Sequence, residues 1–191
     1  FTIIKSVQKS IKIIILSLCL AQHYKHEQAQ NILREALKKY PKNQELILQL
    51  ASLASIQGHT MQEINMIQKA IKIAKEQDKQ ITSLYVRLSN AYLHSDDKKA
   101  LQVAIKAQEL VKKMSPNDDI SDDEIKQLKL QVKISLAQAK SQLQEFDEAK
   151  TLYEEVLEEN PYLVNALQGY GSQLMQLGRM DEAVKLYERL K

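Results

Sequence analysis

Apolar residues recur along this chain at a spacing of three or four, in paired runs separated by short polar turns. This spacing places side chains on one face of an α-helix, so each pair of runs predicts two consecutive amphipathic helices. Strands are not expected, because Val, Ile and Thr do not alternate with polar residues and both Gly (4) and Pro (3) are scarce. In the first pair of runs the apolar positions are Ile13, Leu16, Leu20, Ala29, Leu33 and Ala36.

The pattern returns with a period of 34 residues. Its clearest copy follows Asn160-Pro161 and has a glycine, Gly178, between its two helical runs. Five copies are recognisable, and the third has a turn that is one residue short. They occupy about residues 10–43, 44–77, 82–115, 130–161 and 164–191. In the last copy the defining residues are Leu167, Tyr170, Gly171, Leu174, Ala183 and Tyr187.

This unit resembles the tetratricopeptide (TPR) repeat, a helix–turn–helix of 34 residues. The resemblance implies an all-α fold, a right-handed superhelical solenoid of antiparallel helix hairpins, with residues 1–191 forming a single array. A generic helical bundle stays open as an alternative, but it does not predict the spacing. Because the chain begins at Phe1 and stops at Lys191 inside a helical pattern, we expect it to be a fragment of a longer chain. Small residues should lie where the two helices of a hairpin cross, at Ser17, Ala29, Ala51, Ser89, Ala100, Ala137, Ala149, Gly171 and Ala183.

An acidic insertion at 116–129 interrupts the array between its third and fourth copies. Pro116 should end one helix, and Ser121 with Glu124 forms the S-x-x-E capping box that begins the next. That helix starts about two turns before a standard first helix of the repeat, so we expect it to project from the stack. Ser121 is also a possible acidophilic phosphorylation site, whereas a calcium loop is not supported because the EF-hand pattern and its Gly are absent.

The candidates for chemistry are few. His23 and His26 could share one helix face as metal ligands, but nothing in sequence completes a ligand set, and Cys19 has no neighbouring base. No phosphate-binding Gly loop and no nucleophile motif is present. The sequence therefore predicts no metal, no cofactor and no enzyme activity.

Charge and composition restrict the partners. The net charge is only +3, Lys outnumbers Arg 23 to 4, and there is no Trp to stack on bases, so nucleic acid is not an expected partner. Residues 13–21 resemble a signal-peptide core but are too short to span a bilayer, and the repeat places them in a helix, so no direct membrane contact is expected. A single cysteine fits a reducing compartment, and we expect a cytoplasmic protein, with a cilium or another intracellular assembly as a further option.

The resemblance also implies where a partner binds. In the TPR family the first helix of each hairpin lines a concave groove, and its fifth and ninth positions touch ligands. Because Ile14 and Leu18 stand where the carboxylate clamp for Hsp70 and Hsp90 tails has Lys and Asn, and no predicted groove residue is Lys or Arg, that clamp is not supported. The residues of the predicted groove are apolar at its N-terminal end and carry amide and hydroxyl groups at the other end. The apolar residues could instead pack on a neighbouring helix. The groove residues are Ile14, Leu18, Leu48, Ser52, Val86, Asn90, Ile134, Gln138, Gln168 and Ser172.

These features predict a non-catalytic protein–protein interaction scaffold within a multi-subunit assembly, holding a helical or extended partner segment in the groove. Two alternatives stay open. The array could recruit substrates for a larger enzyme, as in a glycosyltransferase, or it could be a TPR subunit of a ribonucleoprotein such as the signal recognition particle.

Overall fold

In the computed structural model, residues 2–76, 81–116 and 120–190 are described, with side chains at 11–76, 81–116 and 120–189. The described residues form ten α-helices and a short 3₁₀ turn at Glu188–Leu190. This confirms the all-α fold class, and ten helices fit about five repeats. The helices are α1 (Thr2–Gln22), α2 (His26–Lys39), α3 (Gln44–Ile56), α4 (Thr60–Glu76), α5 (Thr82–Tyr92), α6 (Asp97–Lys112), α7 (Asp122–Gln142), α8 (Phe146–Glu159), α9 (Val164–Gln176) and α10 (Met180–Tyr187).

The chain divides into two compact units, residues 1–84 and 85–191. In unit 1, α1 to α4 pack around Leu33, Leu46 and Leu50. In unit 2, α7 to α10 pack around Tyr153, Val156 and Leu167. The single array over 1–191 stays a prediction.

Corresponding helices of the two units start and stop 120 residues apart. Helix α2 spans 26–39 and α8 spans 146–159, while α3 spans 44–56 and α9 spans 164–176. Helices α4 and α10 begin at 60 and 180. Adding 120 to a number in unit 1 therefore gives the equivalent position in unit 2, and side chains at equivalent positions can be compared directly.

The turns within four hairpins have three residues, and the middle residue always has a positive φ. Gly58 (71°) and Gly178 (72°) adopt this left-handed conformation without steric cost, as expected for the glycine of the turn. Tyr24 (59°) and Gln144 (64°) adopt it despite a Cβ atom. The third hairpin differs. The start of α6 follows the start of α5 by 15 residues, whereas the start of α4 follows that of α3 by 16, so the spacing of the hairpin is one residue short as the pattern predicts. The turn itself is not shorter, because four residues (93–96) lie between α5 and α6.

The small residues predicted at the helix crossings are buried. Ala29, Ala100 and Ala149 have no exposed surface, and Ser89 is also fully buried, with its Oγ donating to the carbonyl oxygen of Ala100 at 2.8 Å. Because that bond joins α5 to α6, a buried hydroxyl is satisfied where the two helices approach most closely. The sequence pattern is therefore a packing pattern.

Helix α7 begins at Asp122 as predicted. Ser121 accepts from the backbone N–H of Glu124 at 3.3 Å, and the Glu124 carboxylate accepts from the backbone N–H of Ser121 at 2.9 Å. The expectation that this early start projects from the stack is wrong, because Ile120 and Ile125 are only 6% and 3% exposed. Residues 117–119 of the predicted acidic insertion lie outside the described residues.

Candidate functional site

Six of the predicted groove residues belong to unit 2, two on each of three helices. They are spaced four apart, which puts each pair on one helix face. Five of them line one cavity of about 370 Å³. The six residues are Val86 and Asn90 on α5, Ile134 and Gln138 on α7, and Gln168 and Ser172 on α9.

The cavity combines an apolar base with amide walls. Val86 and Ile134 are 8% and 6% exposed, so the prediction that they meet a partner requires that partner to reach into the cavity. Ser135 Oγ donates to Asn90 Oδ1 at 3.2 Å, which orients the Asn90 carboxamide and leaves its NH₂ group as a donor. The amide side chains around this base are Asn90, Gln131, Gln138, Asn165 and Gln168.

A second cavity, of about 240 Å³, shares Gln138 and Gln168 with the first, so the two adjoin. Gln173 forms part of its wall and is 2% exposed. Its Nε2 donates to the carbonyl oxygen of Phe146 at 2.7 Å, which holds the side chain in place. We call the residues that line the two cavities the amide groove. In the second cavity they include His94, Ser141, Gln142, Ser172 and Gln176.

Sequence reasoning missed one charged member of this surface. Arg87 lines the first cavity beside Val86, and among the described residues it is the only Lys, Arg, Asp or Glu lining either cavity. It is the sixth residue of α5, immediately after the fifth position that the family pattern indicates. The predicted set, which has no Lys or Arg, therefore omits a cation of the groove in unit 2.

The four predicted residues of unit 1 are distributed differently. Ile14 and Leu48 are half-buried, Leu18 is 45% exposed, and Ser52 Oγ donates to the carbonyl oxygen of Leu48 at 3.1 Å. None of them lines the cavities of about 260 and 350 Å³ in unit 1. Their membership of a groove stays a prediction.

Two lysines of α7 stand where the family pattern is usually apolar, and both point towards α8. Lys133 Nζ lies 3.1 Å from carboxylate oxygens of Glu155 and Glu159. Lys140 Nζ lies 2.8 Å from Glu145 and 2.6 Å from Glu148, and these hydrogen bonds raise the pKa of Lys140. Both lysines therefore serve the contact between α7 and α8 within their hairpin and do not line the groove.

Most polar side chains of the groove are amides, and one is the imidazole of His94. Amides do not titrate, and burial raises the pKa of Tyr153, which lines the second cavity, well above its ordinary value. Burial, and then the nearby Glu154 carboxylate, raise the pKa of Tyr170 to about 12. What the groove offers is hydrogen bonding: each amide can donate and accept at once.

Other candidate sites are sparse in the described part of the chain. No group of three or more His, Cys, Asp or Glu residues is placed there to hold a metal ion. Cys19 is free and exposed on α1. Across residues 2–76, 81–116 and 120–190, no helix is both long and apolar enough to cross a membrane.

Known proteins show the same repeat. Family models described as tetratricopeptide repeat match residues 133–191 and 15–43. No curated protein sequence matches at a significant level. Among solved structures, Pseudomonas aeruginosa PilF is 17% identical, with a TM-score of 0.69 over 97% of this chain and 77% of that one. YrrB, described as a TPR protein with an unusual peptide-binding site, is 16% identical, with a TM-score of 0.57 over 93% and 82%.

A third similar structure is TTC0263, a thermophilic TPR protein of Thermus thermophilus. It is 16% identical, with a TM-score of 0.64 over 94% of this chain and 88% of that one. At these identities the likeness concerns the fold.

Proposed function

Since the chain is a tetratricopeptide repeat protein, we propose that it is a non-catalytic protein–protein interaction scaffold within a larger assembly. It binds an extended or helical segment of a partner protein in the amide groove of unit 2. The observation that carries this proposal is that five of the predicted groove residues, on three helices, line one cavity of about 370 Å³.

The chemistry of the groove fits a peptide. An extended segment presents backbone N–H and C=O groups in alternation, and an amide side chain can pair with either group whatever the partner's sequence. Val86 and Ile134 offer an apolar base on which one partner side chain is desolvated. This combination supports recognition of a main chain with a single apolar anchor.

The lining of the groove argues for partners other than the acidic tails of Hsp70 and Hsp90. Gripping several carboxylates takes several cations, and among the described residues Arg87 is the only Lys or Arg lining the two cavities. The single cysteine supports a reducing compartment, and we place the assembly in the cytoplasm.

The proposal is tested by selecting peptides from a randomised display library on the folded chain and measuring their dissociation constants. Replacing Gln138 and Gln168 together by Ala removes two side chains shared by both cavities. Each lost hydrogen bond is worth about 0.5–1.5 kcal/mol, so binding should weaken about 5- to 150-fold.

The matched control replaces Gln102 and Gln127, exposed amides of the same unit that line neither cavity. Peptides selected on the protein should bind this variant unchanged and should slow amide hydrogen exchange in α5, α7 and α9. If no selected peptide discriminates between the two double variants, the groove is not the binding site.

A further inference from the structure

Unit 1 contains a cavity of about 260 Å³ with a character opposite to that of the amide groove. It lies on α2, α3 and α4, and none of the predicted groove residues lines it, although Leu48 and Ser52 belong to α3. Its apolar base is formed by Leu37, Leu50, Ala54 and Met66. We call it the basic pocket because three cations line it: Arg34, Lys38 and Lys69.

The equivalent positions in unit 2 carry larger side chains. Adding 120 to Leu50 and Ala54 gives Tyr170 and Leu174, and all four residues are buried: Leu50 and Ala54 are 6% and 1% exposed, and Tyr170 and Leu174 are 8% and 3% exposed. The base of the basic pocket is therefore built from smaller residues than the same place in unit 2.

Two of the three charges differ as well. Arg34 and Lys38 are replaced at the equivalent positions by Glu154 and Glu158, whereas Lys69 has a cation, Arg189, as its equivalent. Glu154 accepts from the Tyr170 hydroxyl at 3.2 Å, so an internal hydrogen bond uses the acid that stands where Arg34 does. In unit 1 the cation Arg34 lines the cavity instead.

Two of the three cations are without a carboxylate in the described part of the chain. Arg34 and Lys69 are exposed and form no ion pair there, while Lys38 Nζ lies 2.6 Å from Glu35. Residues 1–84 carry twelve Lys and Arg against six Asp and Glu, a net charge of +6. A ligand that reaches this pocket meets positive potential from the rim and from the unit as a whole.

The dimensions restrict the ligand further. Sites for small molecules usually measure about 300–1,000 Å³, so this cavity suits one large apolar side chain better than a cofactor. Nucleic acid is disfavoured because the base of the pocket is aliphatic and has no aromatic face on which a nucleotide could stack.

We propose that the basic pocket is a second docking site, which takes an acidic segment of another protein. An apolar side chain of that segment, of leucine or phenylalanine size, enters the space above Leu50 and Ala54. Neighbouring carboxylates of the segment pair with Arg34 and Lys69. The basic pocket and the amide groove share no lining residue, so either proposal can fail without the other.

The test is a second selection from a randomised peptide library. Each recovered peptide is then classified by how much its dissociation constant changes when the protein carries a variant. Arg34→Glu with Lys69→Glu reverses the rim, and we expect at least about tenfold weaker binding of a class of peptides that combine acids with one large apolar residue. Lys39→Glu with Lys72→Glu changes the net charge equally on the same two helices outside the pocket, and should leave that class bound. Binding of this class should also weaken as salt is added.

A third variant tests the cavity itself. Ala54→Leu introduces the side chain present at position 174 and should abolish anchoring while the rim stays positive; circular dichroism verifies its fold.

The proposal is overturned if no recovered peptide is sensitive to both Ala54→Leu and the rim reversal. It is also overturned if sedimentation shows a dimer that the rim reversal dissolves, which would make a second copy the occupant. Binding of a single-stranded oligonucleotide that depends on Arg34 and Lys69 but not on Ala54 would likewise replace the peptide by nucleic acid.

Discussion

Gly169 of α9 lies where little room is left for a side chain. A Cβ atom at this position would be 2.6 Å from the Tyr153 hydroxyl oxygen and 2.9 Å from two ring carbons. Tyr153 is 1% exposed and stacks on Tyr170, with ring centroids 5.6 Å apart and planes 17° apart. Because the ring is buried and stacked on Tyr170, it cannot move aside at low cost.

Two opposing effects determine the stability of Gly169→Ala. Replacing a helical glycine by alanine favours folding by about 1 kcal/mol. Overpacking against a fixed ring opposes it by about 1–3 kcal/mol. With Tyr153 in place the free energy of unfolding should fall by about 0–2 kcal/mol, whereas in a Tyr153→Leu background the same change should raise it by about 1 kcal/mol.

The assay is a double-mutant cycle on urea unfolding followed by circular dichroism. We expect a coupling free energy of about 1–3 kcal/mol between positions 153 and 169. Additive effects, with Gly169→Ala equally stabilising in both backgrounds, would refute the reasoning, because the Tyr153 ring would then impose no constraint on α9.

Two further predictions concern α7. Ser121→Ala removes the side-chain acceptor of the capping box and should lower the free energy of unfolding by about 1 kcal/mol, while Ser115→Ala, at an exposed serine outside the capping box, should not; thermal melts of both variants compare them. The pKa of Lys140 is raised above 10.5 by its hydrogen bonds to Glu145 and Glu148, so its contribution to stability should be complete below pH 10.5 and lost as the pH rises through the raised value. Urea unfolding across that alkaline range should lose stability more steeply in the unmodified chain than in Lys140→Met, and equal slopes would contradict the assignment.

The fold was predictable because the repeat imposes the same packing at each crossing. A small residue must stand where two helices approach closely, so Ala29 and Ala149 mark equivalent crossings in sequence as well as in space. The cap of α7 was predictable for the same reason: Ser121 and Glu124 satisfy each other through local geometry. Features set by distant residues left no such local signal.

Ile125 is an example of a residue whose environment could not be predicted from the sequence. Its place near the start of an early-starting helix suggested projection, but whether that turn is covered depends on how the neighbouring helices pack, and Ile125 is buried. Lys133 and Lys140 looked like departures from the pattern, and only the position of the α8 carboxylates shows that they form ion pairs. Tyr24 and Gln144 likewise occupy the left-handed turn position without the glycine that would have marked it.

The candidate site was partly predictable for a related reason. The fifth and ninth positions of α5, α7 and α9 line one surface because helical spacing carries them there, and the structure places five of the six in one cavity. Arg87, one residue further along α5, lies in the same cavity although it is not at a ligand position of the family pattern. Its inclusion follows from how neighbouring helices frame the cavity, which depends on side chains of all three.

The two cavities also indicate where ligand preference is encoded in this chain. Positions 50 and 170 are equivalent on helices of equal length, as are positions 54 and 174. Unit 1 has Leu and Ala there, at the base of the basic pocket, whereas unit 2 has the larger Tyr and Leu. The crossing positions that define the family cannot distinguish the two units, because they must stay small in both. The size of residues 50 and 54 and the charge of Arg34 are free to vary, since neither is needed for the helices to cross. Exchanging such residues between equivalent places should therefore move a binding preference from one unit to the other while the helices remain in place.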